Sequence, residues 1–415
     1  MKRINDSILQ PGDIILTTSR AKVSKGIRLA TWSDISHAMV CVEGYSVIDA
    51  TSDGVHARNT QRLFYAANDA VHVLRLRRAF TKQELNAVVM YMRGHIGSQY
   101  TTKEAVLTGL GRFIEPSKKQ FCSRLVAQAF RSAGIELVPN ADFCSPESLK
   151  KSALLVEISE PTEDVTDEDV RRWEDRPDGT QKTRDATNAI LNGARTRNPS
   201  IQTFDDVDAH LALHPEDDDF FCGLLERSGY LSLWRGEQQK NPWLYDLALM
   251  QASPPDNMKA YCQSTLADEA GLTNRFIVNR GGYVLYAHQY GLRYFQLKLA
   301  LYELLSSLHL QRIKVATAWL TAHGLAVPPS TPRLVPHTPE WFASMQPWDP
   351  IKAMMAEAAV QVAKHPSVCS ICGDDPASDY VLKDEHRTLG GPGTLRLCEF
   401  CHEVQDGGND LFVPL

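Results

Sequence analysis

The chain has 415 residues, a formal net charge of −6, 43% hydrophobic and 23% charged residues. That length exceeds what one core usually fills, so two or three domains are expected. The acidic balance argues against a general nucleic-acid binder, which needs a strongly basic face, though a local basic patch is compatible with it. No run of about 18 apolar residues occurs, which argues against a membrane-spanning helix. Met1-Lys2-Arg3 leads into Asn5, Asp6 and Ser7 with no apolar stretch of the kind a signal peptide carries. The expectation is a cytoplasmic protein, unless a leaderless route exports it. Nine cysteines, an odd number, favour metal binding or catalysis over a disulfide framework in that setting.

In chain order, residues 8 to 77 read as β-rich. Pro11-Gly12-Asp13 is a turn that launches Ile14-Ile15-Leu16. His37 to Val42 and Tyr45 to Ala50 are short apolar runs joined by Glu43-Gly44, a hairpin signal. Val71 to Leu76 alternates like another strand. Thr81 caps a helix, with Glu84 three residues on completing a capping box. Phe121 to Ala133 places Leu125, Val126, Ala129 and Phe130 at helical spacing, and Gly134 ends it. The first module, residues 1–158, is therefore α+β. Residues 159–184 turn acidic and read as a linker or a solvated capped helix. Residues 185–326 carry helical patterns, clearest from Tyr294 to Ala322 with Leu297, Leu301, Leu304, Leu305 and Leu308 on one face. Prolines crowd 327–350, which reads as a linker or extended brace. A short helix and a cysteine-rich module fill 351–415.

A nucleophilic cysteine needs a lowered thiol pKa, a nearby imidazole and a group that orients the imidazole. Cys122 opens an amphipathic helix, where free N–H groups and the macrodipole favour a thiolate and can receive an oxyanion. His37 opens an apolar strand. With Glu43-Gly44 as the turn, the return strand brings residues 49 and 50 alongside it, so Asp49 is placed to accept a proton from Nδ1. Singly, a cysteine in such a helix is usually a small buried hydrophobe and a histidine opening a strand a satisfied half-buried side chain. Their order favours catalysis. Cys144, in the polar loop Asn140 to Ser148, is the competing nucleophile.

The ordered set Gly12-Asp13, Ser36-His37, Val47-Ile48-Asp49-Ala50 and Phe121-Cys122-Ser123 resembles the circularly permuted NlpC/p60 group of papain-like hydrolases. That group includes the YaeF/YiiX-type and lecithin:retinol acyltransferase-like proteins. Gly97-Ser98-Gln99-Tyr100, Ser145-Pro146 and Leu149 also fit it, so the likeness spans roughly residues 8 to 156. The resemblance implies a papain-like fold in which His37 precedes Cys122, with Asp49 as third member where relatives often carry Glu or His. It implies amide or ester hydrolysis, or acyl transfer, through a thioester on a small acyl, amide or peptide substrate. Tyr100 is a candidate substrate contact, and with Phe64, Trp32 and Phe113 could line an apolar pocket or simply belong to the core.

Cys369-x-x-Cys372-Gly373 and Cys398-x-x-Cys401, with 25 residues between the pairs, have the form of a four-cysteine zinc site. Four thiolates leave no open position, so the zinc is expected to be structural. His386 and His402 are alternative ligands that read better as ordinary surface residues. The leading expectation is a thiol hydrolase or acyltransferase whose helical region and zinc module choose substrate or partner. The alternative is a non-catalytic adaptor that uses the same fold and the zinc module to dock a protein. A nucleic-acid enzyme guided by a zinc ribbon fits the acidic charge poorly.

Overall fold

The computed structural model describes residues 1–18, 34–101, 104, 117–252, 255–271, 275–326, 333–383, 391–408 and 410–415. They fall into two compact units, Met1–Leu233 and Trp234–Leu415.

The first unit is built on strands β1 (Lys2–Ile4), β2 (Ile14–Thr17), β3 (His37–Glu43), β4 (Ser46–Thr51), β5 (Gly54–Asn59), β6 (Phe64–Tyr65), β7 (Val71–Leu76), β8 (Leu155–Glu157) and β9 (Thr162–Asp164). Six of them form an antiparallel sheet in the order β5-β4-β3-β2-β7-β8, and β6-β1-β9 form a smaller one. The period of two divides the core in two. Ile14, Leu16, Ala38, Val40, Ile48 and Leu74 face helices α1 (Lys82–Gly94) and α2 (Cys122–Ser132). Ile15, Met39, Cys41, Val47 and Val73 face the other way, onto Ile4 and Tyr65. Helix α1 begins with the expected capping box of Thr81 and Glu84. Helix α2 buries Leu125, Val126 and Phe130 completely, each contributing about 1.5–3 kcal/mol. Gly134, at φ +76°, ends the α2 turn with a backbone conformation that side chains resist. Asp13 is buried and takes two hydrogen bonds of 2.8 Å from Arg75, which fixes the turn before β2.

The β3–β4 hairpin differs from its expected register. The turn residues are Gly44 and Tyr45, with Tyr45 at φ +61°, and a bulge lies between Cys41 and Glu43. Met39 consequently pairs with Asp49, and His37 is its diagonal neighbour on the same face. The extra residue of the bulge shifts the pairing by one.

After the short α3 (Pro146–Lys150), residues 159–184 hold β9, α4 (Asp167–Glu174) with a capping box from Thr166 and Asp169, and the start of α5 (Gly179–Arg197). Helices α6 (Phe204–Leu213) and α7 (Asp218–Arg227) follow. Helix α5 buries Ala186, Thr187, Ile190, Leu191 and Ala194. It is clamped to the segment that follows α1. Arg195 Nη2 donates to Gly97 O at 2.8 Å, and Gln202 Oε1 accepts from Gln99 N at 3.0 Å.

The second unit contains α8 (Trp234–Lys240), α9 (Leu247–Gln251), α10 (Pro255–Gly271), α11 (Arg275–Tyr290), α12 (Arg293–Ala322), α13 (Pro339–Trp348), α14 (Pro350–Ala363) and α15 (Glu399–Asp406). Its strands β10 (Ser378–Leu382), β11 (Thr394–Leu397) and β12 (Phe412–Pro414) form a sheet in the order β11-β10-β12. Of the leucine stripe expected along α12, only Leu301 is fully inside. The buried face instead carries Tyr294, Phe295, Lys298, Ile313 and Trp319, because aromatic rings outweigh leucines in buried area. The proline-rich stretch is not wholly extended: α13 uses Pro339 at its first turn and buries Trp341 and Met345. No described helix is long and apolar enough to cross a membrane.

Gly97 sits at φ +92°, and a β-carbon there would lie 2.1 Å from Leu191 Cδ1. Gly97→Ala should therefore destabilise the first unit by about 2 kcal/mol, from backbone strain plus overlap. Urea unfolding of Gly97→Ala with and without Leu191→Ala separates the two, since only the overlap is relieved in the double variant.

Candidate active site and cysteine cluster

Helix α2 begins at Cys122, with Phe121 in extended backbone as its N-cap and no side-chain cap. The first N–H groups of the helix are thus left to a ligand. Cys122 is buried, at 3% exposure. Two residues on, Arg124 is fully buried and anchors the helix start. It donates to Asp142 O at 2.8 Å and Lys119 O at 3.0 Å, and pairs with Glu104 Oε2 at 2.6 Å. Its guanidinium lies over the rings of Phe121 and Phe143.

His37 is the first residue of β3, 15% exposed at its side chain. Its Nε2 lies 2.8 Å from Asp49 Oδ2. The nitrogen facing the carboxylate is therefore Nε2, where Nδ1 was expected, and Nδ1 is the one left for Cys122. Asp49, at 2% exposure, also takes Arg58 Nε on Oδ1 at 2.9 Å. Burial works against the charge on His37, yet hydrogen bonds to Asp49 and to the Cys122 thiol, with the negative charges behind them, raise its pKa from 6.5 to about 10. Burial opposes ionisation of Asp49 as well, but His37 and Arg58 outweigh it and hold the carboxyl below its ordinary range. The geometry brings His37, Asp49 and Cys122 together, with an imidazolium between a carboxylate and a sulfur.

Cys144 is adjacent but of another character. It is buried, its thiol donates to Ser123 O at 3.3 Å, and burial, helped by the charge of Cys122, pushes its pKa up to about 12. Tyr100 forms an isolated parallel bridge with Gln120, two residues before the nucleophile position. Burial and the nearby Cys122 charge raise its phenol pKa. Phe64 lies in β6 against β1, and Trp32 and Phe113 fall outside the described residues. Tyr100 packs against the hydrophobic core, as one of its two readings held, and beside it is a cavity of about 480 Å³ whose described walls are polar. Sequence reasoning missed Arg58 and the Glu104–Arg124 pair. A basic residue nine positions after Asp49 on the next strand is the signal that would have found Arg58.

In the second unit, the sulfurs of Cys369, Cys372, Cys398 and Cys401 all lie within 4.8 Å of one another, and all four are free of disulfides. A tetrahedral ion with sulfur bonds of about 2.3 Å needs sulfurs about 3.8 Å apart, so the cluster can hold one metal ion. Burial works against ionising Cys369, but N–H groups of Cys372, Cys398 and Ile371 outweigh it and bring its pKa to about 7. His402 is outside this cluster and stacks on Tyr380 at 4.1 Å between ring centres. His386 lies outside the described residues.

The first unit thus places a buried helix-start cysteine after a strand histidine, with a carboxylate on the return strand. Residues 8–159 match the family model of the permuted papain-like amidase enzymes, YaeF/YiiX, C92 family. That match supports an amidase or other hydrolase. Among solved structures, the metalloprotein YiiX from Escherichia coli O157:H7 is similar at 19% identity and a TM-score of 0.29, covering 36% of this chain and 96% of that one. No curated protein matches the chain.

The folded pKa of His37 lies above its unfolded value. Its stabilising contribution is full below about pH 6.5 and is lost as pH rises through about 10. The first unit should therefore lose about 2–4 kcal/mol of unfolding free energy over that window. Urea titrations at pH 6 and pH 9.5 measure it. Asp49→Asn should flatten the difference and bring the imidazole titration, followed by NMR, down toward 6.5.

Proposed function

We propose that the chain is a cysteine hydrolase of amides in which Cys122 is the nucleophile, His37 the acid–base and Asp49 the carboxylate that orients and charges it. The observation that carries this reading is the 2.8 Å contact of His37 with buried Asp49, beside a cysteine at an uncapped helix start. The match to an amidase family favours an amide bond over an ester.

The ionised sulfur of Cys122 attacks the amide carbonyl carbon. A C–S bond forms as the carbonyl π pair moves onto oxygen, where the first N–H groups of α2 receive it. The C–N bond then breaks while His37 Nδ1 gives its proton to the leaving nitrogen, which leaves a thioester. Water attacks the thioester carbon as His37 Nδ1 takes a proton from it. The C–S bond breaks, releasing the carboxylic acid and the thiolate. Throughout, Asp49 keeps the ring aligned, and Arg58 adds to His37 in holding Asp49 ionised. An acyl acceptor other than water would use the same thioester, so acyl transfer is a variation on this cycle.

Cys122→Ala and His37→Ala should each lower kcat by at least about 10³-fold, and Asp49→Asn by about 10²-fold, since nucleophile and base both remain. Iodoacetamide at neutral pH should modify Cys122 and spare Cys144. Dominant labelling at Cys144 would overturn the assignment.

We further propose that Cys369, Cys372, Cys398 and Cys401 hold one structural zinc ion, which stabilises a module with little core of its own. Elemental analysis should return about one zinc per chain. Cys398→Ser should lower that content and loosen residues beyond about 366, read by hydrogen exchange. Chelation should leave alkylation of Cys122 unchanged. Zinc bound at Cys122 or His37 would sink this assignment.

A further inference from the structure

The cavity beside Tyr100 has two walls of different origin. One comes from the matched amidase segment: the β4–β5 turn Ser52-Asp53-Gly54, then Gly97, Gln99 and Tyr100, then Lys119. The other is one face of α5, a helix that begins twenty residues after the matched segment ends. Gln181, Arg184, Asp185, Asn188, Asn192 and Arg195 recur there at helical spacing, opposite the face that carries Ile190 and Leu191 into the core. The helix is not loosely apposed. Leu191 packs onto Gly97 where no β-carbon fits, and Arg195 donates to Gly97 O, so the α5 wall is held against the segment that also carries Tyr100.

Among the described residues, no aliphatic side chain lines this cavity. Four carboxamides, Gln99, Gln181, Asn188 and Asn192, offer donors and acceptors together, as peptide groups require. Charges of both signs are interleaved: Asp53 and Asp185 against Lys119 and Arg184. Part of this lining is already paired within α5, Gln181 with Arg184 and Asp185 and Asn192 with Arg195, and an acyl chain placed here would cut the remainder off from water at about 1–3 kcal/mol for each group left without a partner. A peptide would pair them. The cavity is tied to Cys122 through Tyr100, which packs against the core cluster that holds Cys122 and whose backbone bridges to Gln120, two residues before it.

Resting on the reading of Cys122 as nucleophile, we propose that α5 is the specificity wall of this hydrolase and that it selects a hydrophilic, peptide-like amide over a lipid acyl substrate. The helical segment beyond the matched residues thus belongs to substrate recognition.

Two chloroacetamides of equal reactivity toward a free thiol test this without a known substrate. One carries a seryl-glutamine amide, the other an n-octyl chain. Labelling of Cys122 in the full-length chain is followed by mass spectrometry, and each rate is divided by that of iodoacetamide on the same variant. In the wild type the dipeptide probe should react at least about tenfold faster than the octyl probe. Asn188→Leu and Arg184→Leu, both on the cavity face of α5, should each cut that ratio at least about fivefold. An octyl probe as fast as the dipeptide, or a ratio that neither variant changes, would overturn the specificity wall. If instead Cys122 reacts with iodoacetamide no faster than it does in the urea-unfolded chain, the nucleophile reading itself fails and takes the inference with it.

Discussion

The buried carboxylate of Asp49 sets the terms for everything around it. A lone carboxylate removed from water costs several kcal/mol, and it would ordinarily take up a proton. Here two cationic partners share it, His37 on one oxygen and Arg58 on the other. Burial opposes the charge on Asp49, but His37 and, after it, Arg58 outweigh burial and hold the carboxyl ionised, so His37 meets a negative charge on its Nε2 side. That charge makes the imidazolium the favoured form and leaves its second nitrogen facing the sulfur of Cys122. The sheet supplies this arrangement through register alone: β3 brings His37, β4 brings Asp49, and β5 brings Arg58.

The residues of this network were legible to different degrees. His37, Asp49 and Cys122 stood out because each opens or closes a local pattern, and their order along the chain matched a family. Arg58 did not. An arginine on a strand reads as a solvated side chain, and only the pairing of β4 with β5 brings its guanidinium to Asp49. The same limit applies to the hairpin register. A two-residue turn at Glu43-Gly44 gives one register and the bulge at Cys41 another, and no residue type in the turn announces the bulge. Glu104 and Arg124 lie twenty positions apart, and their pairing is a fact of tertiary packing alone.

The cysteine cluster was the more readable of the two sites, because a CxxC turn brings its own two sulfurs together by local geometry. Its surroundings were not. Trp341, fully buried with its indole N–H on Thr394 O at 2.9 Å, comes from a proline-rich stretch that composition alone marks as extended. Prolines at a helix start cost nothing, since the N–H they lack would be unpaired there anyway. Counting prolines without asking where each falls in a turn loses that distinction.

Helix α5 shows the same loss on a larger scale. Read by periodicity, it is one more amphipathic helix in a helical region, and its polar face is the face that normally meets solvent. The close approach of Leu191 to Gly97 sets that face beside the cavity at Tyr100, while Gln181, Asp185 and Asn192 stay exposed. A family match over residues 8–159 covers the sheet and the proposed nucleophile. It carries no information about a wall that begins outside it. On the reading proposed above, the chemistry and the choice of substrate lie in different parts of the chain. Hydrophilic side chains at 181, 184, 188 and 192 bear on the second question as directly as Cys122 bears on the first.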